Sequence, residues 1–198
     1  RPEDGPLLVN QLPAELVGGR SVTSLATHLT RSADGAEFFI DARVGLAHIF
    51  GSLPLDGGPP EALAIATTTP ISLDRGGRLF FTRTAPFNTY YRYYDVFALD
   101  RPGAEPRRVT NGARAWHAAI SPRGDRLAMT VNDAGTSRLV LADERGNPLR
   151  TLVESEPFDQ VFHPAWSPDG RTLAVVVKRG PAVDLALVDA KSGALELI

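Results

Sequence analysis

The stretch His163-Pro164-Ala165-Trp166-Ser167-Pro168-Asp169-Gly170-Arg171-Thr172-Leu173-Ala174-Val175-Val176-Val177 places one turn between two β-forming runs. Ser-Pro-Asp-Gly suits a type I turn: Ser at the first corner, Pro fixing φ at the next, Gly tolerating a left-handed exit. Flanked by β-formers, it closes a hairpin. The arrangement recurs upstream. Ser121-Pro122-Arg123-Gly124 precedes Leu127-Ala128-Met129, and Ser32-Ala33-Asp34-Gly35 precedes Phe38-Phe39-Ile40. A looser copy runs from Ser72 through Asp74 and Gly76 to Leu79-Phe80-Phe81. The leading apolar residues Phe38, Leu79, Leu127 and Leu173 are spaced 41, 48 and 46 apart.

A second landmark keeps step with the first. Leu53-Pro54-Leu55-Asp56, Phe97-Ala98-Leu99-Asp100, Val140-Leu141-Ala142-Asp143 and Leu187-Val188-Asp189 each end an apolar strand in Asp before a turn. These aspartates lie 44, 43 and 46 apart, and each can accept backbone N–H bonds in its own turn. Every repeat then reads as four short strands, in the last one 162–166, 172–178, 183–188 and 194–198. The run 173–177 is apolar on both faces, so its sheet is expected to be covered on both sides. Four-stranded sheets repeating every ~40–45 residues and stacked face to face describe β-propeller blades. A β-sandwich would not repeat its turn chemistry so regularly.

Composition agrees and sets limits. The chain has 198 residues, 43% hydrophobic and 22% charged, an ordinary globular balance. Eighteen Gly and 16 Pro punctuate it evenly, as many short strands require. A formal net charge of −2 gives no bulk attraction for polyanions, so nucleic acid is not expected as a partner. The Cys count of 0 excludes disulfides, thiolate metal sites and cysteine nucleophiles. No apolar run approaches the ~18 residues of a membrane helix, so membrane insertion is not expected either. The sequence begins with Arg1, consistent with a processed or excised piece of a longer chain.

His163 through Ala174 resembles the repeat of the TolB-like propellers, relatives of the WD-type repeat. The likeness is specific in the last two repeats, fair in the first and weak in the second, which lacks the Pro and carries one extra residue. It implies an all-β fold of about four four-stranded antiparallel blades, an arc of a larger ring of six to eight. The expected divisions are an N-terminal segment or outer strand of a preceding blade at 1–22, then blades at 23–66, 67–111, 112–156 and 157–198. The resemblance also implies a bacterial periplasmic or envelope setting. It implies use as a protein-binding platform or as an accessory domain of a larger enzyme.

Candidate site residues are few. His28, His117 and His163 each precede the turn-opening Ser by four residues, and Thr68 stands there in the second repeat. First strands line a propeller channel, so these imidazoles are expected to face it, as a tolerated polar position with no metal bound. The turn aspartates Asp34, Asp74 and Asp169 follow no calcium-loop spacing, and Arg123 replaces the Asp of the third repeat without an obvious substitute. All four tyrosines lie in Tyr90-Tyr91-Arg92-Tyr93-Tyr94, after an insertion at 84–89 between strands two and three. Alternation puts Tyr91 and Tyr93 on one face and Tyr90, Arg92 and Tyr94 on the other. The second set, with Phe87, is the candidate interaction surface, because aromatics around a guanidinium are enriched in binding hot spots. Cross-strand packing explains the same residues without a partner.

No nucleophile elbow, zincin motif, Walker loop or dinucleotide fingerprint is present. No catalytic residue, metal ligand or cofactor is therefore expected. The sequence points to a non-catalytic module for protein binding or scaffolding. Its partner would be another protein or additional blades and domains of the same polypeptide. The competing reading is the substrate-gating propeller of a larger bacterial peptidase, prolyl-oligopeptidase-type or metallopeptidase.

Overall fold

The computed structural model describes the backbone of residues 24–31, 37–44, 47–56, 61–66, 68–101, 104–133 and 135–198. It describes side chains at 51, 52 and 54–56 and, within those spans, from 71 onward. The expected N-terminal segment 1–22 and the first-repeat turn at 32–35 lie outside the described residues. The chain divides into two compact units, 1–66 and 67–198.

In the first unit β1 (Ser24–Arg31), β2 (Glu37–Val44), β3 (Ala47–Pro54) and β4 (Glu61–Ala66) form one antiparallel meander in sequence order. The second unit repeats that topology three times. Its sheets are β5 (Thr68–Leu73), β6 (Leu79–Phe87), β7 (Tyr91–Leu99) and β8 (Arg107–Arg108); β9 (Ala115–Ile120), β10 (Arg126–Asp133), β11 (Thr136–Asp143) and β12 (Pro148–Val153); and β13 (Gln160–Trp166), β14 (Thr172–Arg179), β15 (Ala182–Asp189) and β16 (Leu195–Leu197). Within this unit β9 packs between β5 and β13, so the first strands of the three sheets are neighbours.

Strand alternation divides the core into two layers. Leu127, Met129, Val140 and Ala142 of the middle sheet face Phe80, Val96 and Ala98 of the preceding one. Ala128, Leu139 and Leu141 point the other way, against Val161, Leu173, Val175, Val177, Ala186 and Val188 of the following one. The middle sheet is thus buried on both faces, as stacked sheets demand. The last sheet is not. Ala174 is exposed and Val176 half-buried, contrary to the expectation of two covered faces. Val183 and Leu185, which pair with Lys178 and Val176 on that same face, are 60% and 54% exposed.

The repeated turns have the expected geometry. Gly124 N–H donates to Ser121 O and Gly170 N–H to Ser167 O, at 2.8 and 2.9 Å, with the glycines at φ +74° and +71°. Each opening Ser hydroxyl also accepts the N–H of the first residue of the following strand, from Arg126 at 3.1 Å and Thr172 at 3.0 Å. In the third repeat Arg123 does have a substitute: Asp125 takes the Ser121 hydroxyl bond that Asp169 takes from Ser167, both at 2.7 Å. In the second repeat the roles shift. Gly77 N–H donates to Asp74 O, so Asp74 opens the turn in place of Ser. Ser72 instead accepts Ile120 N–H from the next sheet, at 2.9 Å.

Neighbouring sheets of the second unit are latched by recurring arginines. Arg78 Nη2 donates to Gly124 O at 2.8 Å, and one repeat later Arg126 Nη2 donates to Gly170 O at 3.1 Å. Thr172 holds the corresponding place in the last sheet. At the opposite end Ser137 exchanges two bonds with the backbone of Val161, at 2.7 and 2.9 Å, and Thr82 donates to Trp116 O at 2.8 Å.

The residues read as an insertion, 84–89, do not form a loop. β6 and β7 remain in register through Thr84 opposite Tyr94 to Phe87 opposite Tyr91. The hairpin then closes in three residues, because Asn88 and Thr89 adopt left-handed φ of +46° and +65°. Pro86 is tolerated because β5 pairs with β6 no further than Thr82, leaving this end of β6 an edge.

Candidate functional site

At the end of the second unit opposite the Ser-Pro-x-Gly turns, four segments enclose a cleft of about 390 Å³. β7 contributes Arg92, Tyr93 and Tyr94, the approach to β9 contributes Arg114 and Trp116, the β10–β11 hairpin contributes Asn132, Asp133 and Thr136, and β13 contributes Gln160. A second cavity of about 250 Å³ abuts the first and shares Trp116, Asn132 and Gln160 with it. Its walls add Val161, Phe162, His117, Thr130 and Ser137. The groove is therefore cationic and aromatic at its mouth and largely apolar within.

Local backbone irregularity aims the key side chains. Opposite Thr130 and Val131 of β10 stand His117 and Ala115, so Trp116 is the extra residue of a β-bulge. A bulge turns its extra residue out of the ladder. Trp116 stays 39% exposed and packs on Tyr94, with ring centroids 4.7 Å apart. Arg114 sits at φ +55°, and its carbonyl accepts the Asn132 N–H at 3.1 Å. The turn before it is held by Asp95, which is fully buried. Asp95 accepts bonds from Arg108 Nη2, Thr110 Oγ1 and the N–H groups of Gly112 and Ala113, at 2.6, 2.7, 3.0 and 2.9 Å. A buried carboxylate is tolerated only when satisfied in this way.

The Arg114 guanidinium lies 4.6 Å over the Tyr93 ring, donates to the Tyr93 hydroxyl at 3.2 Å and approaches Asp133 at 3.4 Å. The bond to the Tyr93 hydroxyl, then the nearby charges of Tyr93 and Asp133, hold its pKa above the usual arginine value. Among the described residues Arg92 donates only a long bond, 3.4 Å, to Thr84 O. Among them the mouth thus carries two guanidiniums against the single carboxylate of Asp133. Thr130 is buried in the wall of the inner cavity, and its hydroxyl has no hydrogen-bond partner among the described residues.

Of the residues singled out from sequence, Arg92 and Tyr94 line the mouth of the groove and His117 lines its inner cavity. Tyr90 lies in the hairpin turn and is 90% exposed. Phe87 packs on Tyr93 at 5.4 Å and closes over Gly112. Tyr91 stacks on Tyr93 at 5.8 Å yet is itself exposed, while Tyr93 reaches the groove. His28 stands on β1, and its side chain is outside the described residues. His117 is buried and His163 exposed, and their rings approach to 4.0 Å. They do not occupy equivalent positions. His117 pairs with Thr130, whereas the matching residue of β13 is Phe162, opposite Val176, and His163 lies in a bulge at φ +54°. Arg114, Trp116, Asn132, Asp133 and Gln160 went unread. The available signal was topological: in a repeated meander, second-to-third-strand hairpins and the entries of first strands share one end.

No protein family matches the chain by sequence, and no curated protein matches it either. Solved structures do. TolB from Agrobacterium tumefaciens aligns with TM-score 0.68 at 21% identity, over 89% of this chain and 67% of that one. The fold is that of the TolB-like β-propellers. TolB from Acinetobacter baumannii aligns with TM-score 0.69 at 18% identity, over 85% of this chain and 42% of that one. A prolyl endopeptidase aligns with TM-score 0.60 at 12% identity, over 86% of this chain and 28% of that one. The chain therefore spans less than half of two of these three propeller-containing structures. In propeller terms each four-stranded sheet is a blade, and the groove lies at the blade ends beside the first strands.

Proposed function

We propose that the chain is a non-catalytic binding module that holds a peptide segment of a protein partner in the groove between Arg92, Arg114 and Trp116. The observation carrying this reading is the composition of the groove: partly exposed aromatic rings, two guanidiniums and side-chain amides on one concave surface. Such a surface binds through stacking and directional hydrogen bonds. The resemblance read from the repeats implies use as a protein-binding platform and a setting in the bacterial envelope.

The test is selection from a displayed random-peptide library on the immobilised chain. Enriched peptides should lose at least about tenfold in affinity for Arg92→Ala and Trp116→Ala variants of unchanged melting temperature, as expected when a hot-spot side chain is truncated. They should bind Leu149→Ala, altered at an exposed site on the outer strand β12 that lines neither cavity, like the parent. Enrichment of peptides indifferent to both groove variants would overturn the reading.

The peptidase-accessory reading is favoured by the prolyl endopeptidase match, in which this chain corresponds to 28% of a larger protein. It differs in requiring a catalytic domain on the same polypeptide. It would be supported if a fusion to the flanking coding sequence hydrolysed peptides and the isolated chain did not.

A further inference from the structure

We infer that the groove reads the free C-terminus of a peptide, with the terminal carboxylate at Arg92 and Arg114 and an apolar terminal side chain in the inner cavity. The inference rests on the peptide-binding reading above and names its ligand chemistry. The charge argument comes first. Two guanidiniums converge on the mouth and Asp133 offsets only one of them, so an anion is the complementary guest. The Arg114 fork is oriented before any ligand arrives, by the Tyr93 ring beneath it and the Asp133 carboxylate beside it. Pre-orientation of this kind lowers the ordering cost of binding.

The second argument is adjacency. The cationic mouth is contiguous with the inner cavity, whose open surface is mostly apolar although His117, Thr130 and Ser137 stand in its wall beside Val161, Phe162 and Trp116. A guest must therefore present a carboxylate and an apolar group a few bonds apart. A C-terminal residue does so from one Cα. Asn132 and Gln160 stand at the junction, where the last peptide unit would lie, with donors and acceptors for its N–H and C=O.

The experiment titrates three probes into the full chain, following the fluorescence of Trp116 in a Trp166→Phe background. The probes are N-acetyl-Gly-Gly-Phe as the free acid, the same peptide as its C-terminal amide, and 3-phenylpropionate. The free acid should bind at least roughly tenfold more tightly than the amide, the usual scale for losing one charge-assisted pairing. Arg114→Gln should erase that difference, and Arg92→Gln should reduce it, with melting temperatures unchanged. The 3-phenylpropionate should bind more weakly than the free-acid peptide, because it lacks the peptide unit for Asn132 and Gln160. Equal binding of acid and amide would overturn the carboxylate assignment and leave peptide binding standing. Binding of 3-phenylpropionate as tight as the peptide would overturn both, making the groove a small-acid site. Isothermal titration on the parent chain checks that the fluorescence change reports binding, and no heat from any probe would also sink the inference.

Discussion

Gly124 and Gly170 look interchangeable in sequence, and the structure separates them. Both are left-handed, so any side chain costs about 1–2 kcal/mol of backbone strain. A Cβ on Gly170 would meet nothing nearer than 3.8 Å, whereas one on Gly124 would fall 2.5 Å from both Arg78 Nη2 and Asp74 Oδ2. Asp74 is buried and ion-paired to Arg78 at 2.7 Å, so it has little room to yield. Gly170→Ala should therefore cost about 1–2 kcal/mol, and Gly124→Ala about 3 kcal/mol because it also breaks the Arg78 latch. Urea midpoints of the two variants measure the difference. The turn aspartates carry a second prediction. Hydrogen bonds from the Asn147, Ser167 and Ser192 side chains, reinforced by backbone N–H groups, hold Asp143, Asp169 and Asp189 below the usual carboxylate range. A lowered folded pKa gives stability that is complete above about pH 4, the unfolded value, and is lost as pH falls through the folded one. The melting temperature should thus be flat near neutrality and fall below about pH 4. Asp143→Asn should make that fall shallower.

At the level of the element, latches and bulges decide how blades meet. Arg126 bonds Gly170 O and lies 5.1 Å over the Trp166 ring. Arg126→Ala should cost about 1.5–2 kcal/mol, the scale of a partly buried bond from a charged donor. Arg75→Ala, which removes an exposed bond to Pro168 O, should stay within about 0.5 kcal/mol. Thermal melts of the pair test the contrast. The repeat itself was legible because turn chemistry is local: Ser, Pro and Gly each answer to one backbone torsion. The second repeat was misaligned for the converse reason. Asp74 performs the task of Ser, and a carboxylate opening a turn reads like the Asp that elsewhere follows Pro. Bulges left no trace, because an extra residue in a first strand does not disturb landmarks that lie outside it. Trp116 and His163 both stand in such bulges, so their register is not legible from the landmarks. The groove was legible at Arg92 and Tyr94 and, in its inner cavity, at His117, while its other walls come from three further segments far apart in sequence.

For the molecule as a whole, far-ultraviolet circular dichroism should report predominantly β structure. A helix content near the globular average of about a third would contradict the sheet topology. The middle blade of the second unit packs on both faces and is latched on both sides. The last blade packs on one face, and Thr172 stands where Arg78 and Arg126 stand in the blades before it. Stacked repeats behave as a one-dimensional array whose stability is the sum of each unit and its junctions. In such an array opening is a zipper, and it starts where a unit has one junction instead of two. Amide exchange should accordingly be fastest in β16 and β15, slower in β13, and slowest in β10 and β11, with separate opening energies rather than a single global one. Replacing Thr172 by Arg should leave that order unchanged unless a further blade is supplied for the guanidinium to grip. Threonine in the latch position thus sets an order of opening among these three blades, with the middle one yielding last.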